Sequence, residues 1–343
     1  AAVKFRLPEG KRSEQFVTFS NRGLGALEIS SVDVTVPAGQ TWLTVDGAAA
    51  PLYKLSVDPS GLSPGVYQGS VAFASNAANG TIAVPVEVEI IPAGPPVAAF
   101  GGVVNNATFA RDDPIPQGGI CALFGEQLSN QDPQQGDRIP LVQQLGGATL
   151  FVNDRPTPLY FTSYGQINFQ LPFETTLGEA LVRVDRDGQR GNTVSVRVVE
   201  RAPRILRYLV PGLEQYGIVQ NYKDGTFAIP AALAAQTGVP GHPAAIGEAL
   251  VMYVIGIGQT APPVPTGAAA PSGTTGEVLP RPKVVFGGDE ETDVLYYGYT
   301  PTFVGLYQVN VVVPKRSPVG DAVSVVLSQD GQIISNKAYI AVQ

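Results

Sequence analysis

Few residues of this chain could carry acid–base, nucleophilic or metal chemistry, and their spacing decides what is left. There is one His (His242) and one Cys (Cys121) in 343 residues. A structural zinc site needs about four His or Cys ligands, and a single Cys forms no internal disulfide. A Ser-His-Asp triad would have to use His242 as its base. That residue lies in Val239-Pro240-Gly241-His242-Pro243, with no G-x-S-x-G elbow to accompany it. A loop histidine between two Pro-containing turns reads as structural or solvated. Cys121 sits in the apolar run Ile120-Cys121-Ala122-Leu123-Phe124 and reads as a small buried hydrophobe.

Carboxylates occur as Asp112-Asp113 and as the cluster Asp289, Glu290, Glu291 and Asp293. Glycoside hydrolysis needs two carboxyl groups across a cleft, not neighbours on one loop. For the second cluster the functional reading is a weak calcium site, because hard oxygen ligands suit that ion; the competing reading is a solvated turn. Asp185-Arg186-Asp187-Gly188 lacks EF-hand spacing and reads as a hairpin. Gly256-Ile257-Gly258 lacks the rest of a dinucleotide fingerprint, and no G-x-x-x-x-G-K loop occurs, so no cofactor is expected. Aromatic residues are the remaining lead. Tyr296, Tyr297, Tyr299, Phe303 and Tyr307 cluster around an extended loop at 297–307, and exposed aromatics stack on sugar faces or anchor protein partners. On a strand Tyr296 and Tyr297 point to opposite faces, so only part of the cluster can form a platform. Trp42 and Tyr67 are expected in or beside a core.

The elements that position these residues must be strands. Gly 39 and Pro 30 make about a fifth of the chain, against roughly 12% in average proteins, and both disfavour helix interiors. Only 15% of residues are charged and 44% are hydrophobic, which excludes a disordered tail. Apolar runs of strand length recur between Gly, Pro, Asn and Asp, for example Ile82-Ala83-Val84-Pro85-Val86-Glu87-Val88 and Thr193-Val194-Ser195-Val196-Arg197-Val198. One stretch, Ile229 to Gln236, reads as a short helix stopped by Thr237-Gly238. The net charge of −7 without a basic block excludes a nucleic-acid partner, and no apolar run reaches the ~18–20 residues of a membrane span.

Pro92-Ala93-Gly94-Pro95-Pro96 is a stiff spacer, and a second boundary falls near Arg201-Ala202-Pro203. Three segments result: 1–92, 98–203 and 204–343. The last two repeat each other. Gln166-Ile167-Asn168-Phe169-Gln170-Leu171-Pro172 aligns with Gln308-Val309-Asn310-Val311-Val312-Val313-Pro314 at an offset of 142, which carries Gly178 onto Gly320. Upstream, Leu150 and Leu159-Tyr160 align with Phe286 and Leu295-Tyr296 at an offset of 136, and both copies follow a strand ending in Gly, at Gly125 and Gly256. The difference is assigned to the loop, 297–307 against 161–165. This is a duplicated β-sandwich unit. The recurrent Asn168 and Asn310 either bond neighbouring backbone or face a ligand.

Val304-Gly305-Leu306-Tyr307-Gln308-Val309-Asn310, Gly256-Ile257-Gly258-Gln259-Thr260-Ala261-Pro262-Pro263-Val264-Pro265-Thr266-Gly267 and Tyr164-Gly165-Gln166-Ile167-Asn168 resemble, in order, an uncharacterised C-terminal domain family of secreted proteins from Solibacter-type acidobacteria. The resemblance covers roughly residues 100–343. It implies two immunoglobulin-like units resembling IPT/TIG modules on an exported protein, and no particular activity. His242 stands where that family more often has Asn, which speaks against a shared role for it. In residues 1–92, the order N-x-G (Asn21 to Gly23), Trp42-Leu43-Thr44-Val45 and Leu62-Ser63-Pro64-Gly65-Val66-Tyr67-Gln68-Gly69 is similar to BACON domains. That similarity implies a seven-stranded sandwich of bacterial surface proteins, either carbohydrate-binding or a spacer.

The expectation is an all-β protein of three immunoglobulin-like sandwiches in tandem, the last two a duplication. The start at Ala1 without Met suggests that a signal peptide has been removed, which places the protein outside the cell or on its surface. Its expected work is non-catalytic binding of a polysaccharide or a surface protein. The alternative is a structural spacer, and a carboxylate hydrolase is the lesser one.

Overall fold

The computed structural model describes residues 2–21, 23, 25–46, 52–273 and 276–343; Ala1 and Arg22 of the stretches discussed above lie outside the described residues. The chain forms two compact units, Ala1–Gly94 and Pro95–Gln343. Among the described residues no helix is long and apolar enough to cross a membrane.

The first unit contains β1 (Val3–Pro8), β2 (Ser13–Thr18), β3 (Ile29–Thr35), β4 (Leu43–Asp46), β5 (Leu52–Val57), β6 (Gly65–Ser75) and β7 (Ile82–Ile91). They form two sheets, β1-β7-β6-β3 and β2-β5-β4, with β1 parallel to β7 and the other neighbours antiparallel. Alternate residues point into the space between the sheets, where Phe5, Trp42, Tyr53, Leu55, Phe73 and Val88 pack. Trp42 is buried there, and its Nε1 donates to Gln40 Oε1 at 2.7 Å. Gly69 makes room for it: a Cβ at that position would sit 3.0 Å from the Trp42 ring and 2.9 Å from the Thr35 carbonyl. Tyr67 is half-buried and donates from its hydroxyl to the Ser63 carbonyl at 2.9 Å.

The second unit holds two sandwiches. The first is built from β8 (Val97–Asn105), β9 (Ile115–Pro116), β10 (Ile120–Glu126), β11 (Gln134–Gln135), β12 (Ala148–Val152), β13 (Arg155–Pro156), β14 (Leu159–Thr162), β15 (Gln166–Gln170), β16 (Gly178–Arg186) and β17 (Gln189–Val199). Its sheets run β11-β14-β15-β10-β8 and β13-β12-β16-β17-β9. Lettered in chain order, this is A-B-E-D facing A′-G-F-C-C′, the immunoglobulin arrangement, closed over Leu123, Leu150, Ile167, Phe169 and Val182. The other sandwich contains β18 (Arg204–Ile205), β19 (Val219–Asn221), α1 (Ala231–Thr237), β20 (Ala249–Ile255), β21 (Lys283–Phe286), β22 (Glu290–Tyr299), β23 (Leu306–Val312), β24 (Gly320–Gln329), β25 (Gln332–Ile333) and β26 (Ala338–Val342). The short helix expected at 229–236 is α1.

The repeated segments occupy matching places in the two sandwiches. Gln166–Gln170 and Leu306–Val312 occupy the same place, each beside its B strand, with Asn168 opposite Ala122 and Asn310 opposite Val251. Leu150 and Phe286 are both fully buried. The copies differ at one edge. In the last sandwich β22 changes sheets: Glu290 to Asp293 pair with β21, and Val294 to Tyr299 pair with β23. In the earlier copy β13 and β14 divide this work. Pro156 and Pro158 stand where the later copy has Thr292 and Val294, and a proline has no N–H to continue a ladder.

The extra length of the last copy is only partly loop. Tyr297, Tyr299 and Tyr307 lie within β22 and β23, so the loop is 300–305, not 297–307. A bulge between Val294 and Tyr296 sets the facing of these strands.

Candidate functional site

The two sandwiches of the second unit meet along a seam built by three stretches of the later one: the crossing segment at Ala202, the loop from Gly256 to Gly267, and Val304-Gly305. The Ala202 N–H donates to the Gly256 carbonyl at 2.9 Å. Gly256 has φ +77°, and a Cβ there would lie 2.6 Å from the Ala202 carbonyl and 2.7 Å from Pro116 Cγ, so the approach requires glycine. At the far end of the loop, the Gly267 N–H donates to Gln170 Oε1 at 2.7 Å, and its carbonyl accepts from the Leu141 N–H at 2.8 Å. Gln170 is 1% exposed, and its Nε2 donates to the Gly118 carbonyl at 3.2 Å. Thr266 Oγ1 accepts from the Phe173 N–H at 3.1 Å and donates to Glu174 at 2.9 Å. Tyr160 donates from its hydroxyl to the Val304 carbonyl. Inter-domain contacts within a chain ordinarily permit motion; buried hydrogen bonds satisfied on both sides oppose it.

The tyrosine cluster supports this loop from beneath. Tyr299 and Tyr307 stack with centroids 5.2 Å apart and planes 17° from parallel. The Tyr307 hydroxyl donates to the Gly258 carbonyl at 3.0 Å, and the Tyr299 hydroxyl accepts from the Val264 N–H at 3.2 Å. Burial pushes the phenols of Tyr297, Tyr299 and Tyr307 above their ordinary range. These three side chains belong to the core and offer no face to a ligand. Tyr296 is half-buried, with its hydroxyl 3.0 Å from the Tyr299 carbonyl and 3.1 Å from that of Gly276. Of the five aromatics, Phe303 alone is exposed, so they form no platform.

The acidic cluster does not converge either. Asp289, Glu290, Glu291 and Asp293 lie along the β21–β22 hairpin, where Glu291 accepts from Lys283 Nζ at 3.2 Å. Among the described residues no three His, Cys, Asp or Glu side chains gather as metal ligands. Strand alternation sends Glu290 to the face opposite Glu291, and Lys283 takes up Glu291.

Two depressions share Pro114 beside the seam. On one side is a depression of about 330 Å³ with Val103, Val196 and Val199 among its lining and Arg111 and Arg197 in its wall. On the other is one of about 260 Å³ lined in part by Arg201, Pro203 and Arg204. Between the sandwiches Arg204 grips Asp113 with two parallel hydrogen bonds of 3.0 Å, while Thr108 Oγ1 donates to the same carboxylate at 2.5 Å. Arg204, and then Thr108, hold the Asp113 carboxyl below the usual range against the opposing effect of burial. A further depression, of about 690 Å³, lies in the first unit, with Phe19, Leu27, Ile29 and Ile82 in its lining. Its Asn21 amide is spent on its own loop, bonding Gly23 and Gly25, and its Asn76 amide on the facing segment, bonding Glu28 and Ala26.

His242 joins two turns. Its Nε2 is 2.8 Å from Asp224 Oδ2 and its Nδ1 is 2.8 Å from the Pro243 carbonyl, so both ring nitrogens face acceptors. Asp224 and then Pro243 raise its pKa, and Asp224 falls to about 2. Cys121 is fully buried, and desolvation pushes its thiol to about 12.

No family model matches the chain, and no curated protein matches it. Among solved structures it is similar to a Bacteroides ovatus mixed-linkage glucan utilization protein, SGBP-B, bound to a heptasaccharide, with 10% identity, 100% of this chain and 67% of that chain covered, and a TM-score of 0.30. An endo-fucoidan hydrolase of glycoside hydrolase family 107 aligns at 13% identity over 100% of this chain and 43% of that one, with a TM-score of 0.26. A chimeric titin Z1Z2 aligns at 9% identity over 58% and 94%, with a TM-score of 0.25. At these scores none of the likenesses bears on function.

The seam residues had one signal in the sequence. Gln170 stands where the later copy has Val312, and a buried amide replacing a valine marks a position with work the other copy lacks. Arg111, Arg197 and Arg204 had none, because the fold brings them together from distant segments.

Proposed function

We propose that the chain is a non-catalytic exported module for binding and spacing, with residues 95–343 acting as one rigid two-sandwich body. The observation that carries this reading is the seam, where Gln170 is satisfied on both sides by Gly118 and Gly267 and Arg204 grips Asp113. A spacer needs domains that do not hinge, and so does a surface assembled from two domains. The resemblances of residues 100–343 and 1–92 to secreted and surface modules support the extracellular placement. A hydrolase gains no support from the groove: Asp113 is held ionised by Arg204, the reverse of what a general acid requires.

The partner we propose is a polysaccharide or a surface protein. The spacer role alone is the second reading, favoured by the burial of Tyr297, Tyr299 and Tyr307. A glycan array and polysaccharide pull-downs with the full chain, run beside a pull-down against cell-surface proteins, separate the two. Retention of either class supports binding. Blank results in both leave the spacer alone, and hydrolysis of any retained glycan overturns the non-catalytic reading.

A further inference from the structure

The groove beside Pro114 carries charge that the fold does not consume. Arg111 and Arg197 are exposed, and among the described residues neither guanidinium has an ion pair or hydrogen bond. Both border the same depression of about 330 Å³, whose apolar lining includes Val103, Val196 and Val199. Asp112, exposed beside them, offsets one of the two charges. The second depression bordered by Pro114 includes Arg201, which is 3.3 Å from Glu200 and donates to the Leu279 carbonyl at 3.2 Å. Free cationic forks in one groove stand out on a chain with net charge −7.

We propose that this groove binds an acidic polysaccharide, with its anionic groups on Arg111 and Arg197 and the C–H faces of its sugar rings against the half-buried Val196 and Val199. The inference rests on the extracellular binding reading above and names its ligand class. A guanidinium presents two parallel donors that match carboxylate or sulfate oxygens. The lining offers no exposed aromatic face for stacking a neutral sugar or a base: Tyr297, on the far side of Pro114, is 3% exposed. Two depressions that share Pro114 suit a chain crossing the seam more than a single compact ligand. Nucleic acid is disfavoured because its bases find no aromatic face to stack on in the lining at Arg111 and Arg197.

The test is affinity electrophoresis of the full chain in gels containing polygalacturonate, dextran sulfate, mixed-linkage glucan or polyuridylate. Retardation by polygalacturonate, by dextran sulfate or by both is expected, weakening with added salt, and the stronger of the two identifies the preferred group. The double variant Arg111→Ala/Arg197→Ala should lose at least about tenfold in affinity, as expected for two charge-assisted contacts, with an unchanged melting transition. Absence of retardation by both acidic polymers, retardation unchanged in the double variant, or stronger retardation by polyuridylate overturns the proposal. If mixed-linkage glucan retards the chain while both acidic polymers fail, this inference falls and the binding reading stands.

Discussion

Gln170 and Gly267 are joined across the seam by a 2.7 Å hydrogen bond from the glycine amide to the buried side-chain oxygen, and the other end of the same amide group holds Gly118. One side chain of the earlier sandwich thereby ties down the end of a loop that starts, at Gly256, against Ala202 and Pro116. Replacing Gln170 by Leu leaves the Gly267 N–H and the Gly118 carbonyl without these partners. The expected loss is about 2–4 kcal/mol, read as a lower urea midpoint at unchanged slope. A loss under about 0.5 kcal/mol, the range of ordinary surface substitutions, would show that the seam bears little load.

The Asp113–Arg204 pair should make the seam sensitive to acid. Its carboxyl is depressed in the folded state, so its stabilisation is complete above the unfolded value of about 3.9 and disappears as pH falls through the folded value. Arg204→Met should cost about 2 kcal/mol at neutral pH, given a pair that is mostly but not fully buried. It should cost almost nothing at the acid end. A penalty that does not change with pH would assign the effect to lost packing.

His242 titrates in the other direction. Its folded pKa is raised by Asp224, so its contribution is complete below about 6.5 and is lost as pH rises through the folded value. Asp224, depressed to about 2, contributes above about 3.9 and loses its part as pH falls towards 2. As the chain has one histidine, a single imidazole resonance reports the midpoint. It should lie above 6.5 and move down in Asp224→Asn; an unshifted midpoint in the wild type would contradict the contact.

Much of this architecture could be read from residues, and the misreadings have physical causes. Two-residue alternation and the recurring Q-x-N pattern placed β15 and β23 correctly, and Trp42, expected in or beside a core, is buried in the first one. The facing of the tyrosines escaped because the bulge at Val294–Tyr296 shifts the alternation by one. A regular strand would have put Tyr296 on Val294's inward side and Tyr297 outside. The seam groove escaped for another reason. Arg111 and Arg197 are far apart in sequence and become neighbours only when β17 folds back beside the segment that follows β8.

Cys121 is expected to resist chemistry. Buried completely and with its thiol at about 12, it should not react with a thiol reagent under native conditions, and should react promptly in denaturant. Reaction within minutes in native buffer would mean that the earlier sandwich opens readily.

That silence of the native thiol makes the decisive measurement practical. Spin labels at Ser195→Cys and Gln332→Cys, both exposed and one on each sandwich of the second unit, report the separation of the two bodies by pulsed electron resonance on the full chain. A clamped pair predicts one narrow distance peak that broadens when Gln170→Leu is added. A broad or two-peaked distribution in the otherwise unaltered chain would contradict the central claim that residues 95–343 act as a single rigid body.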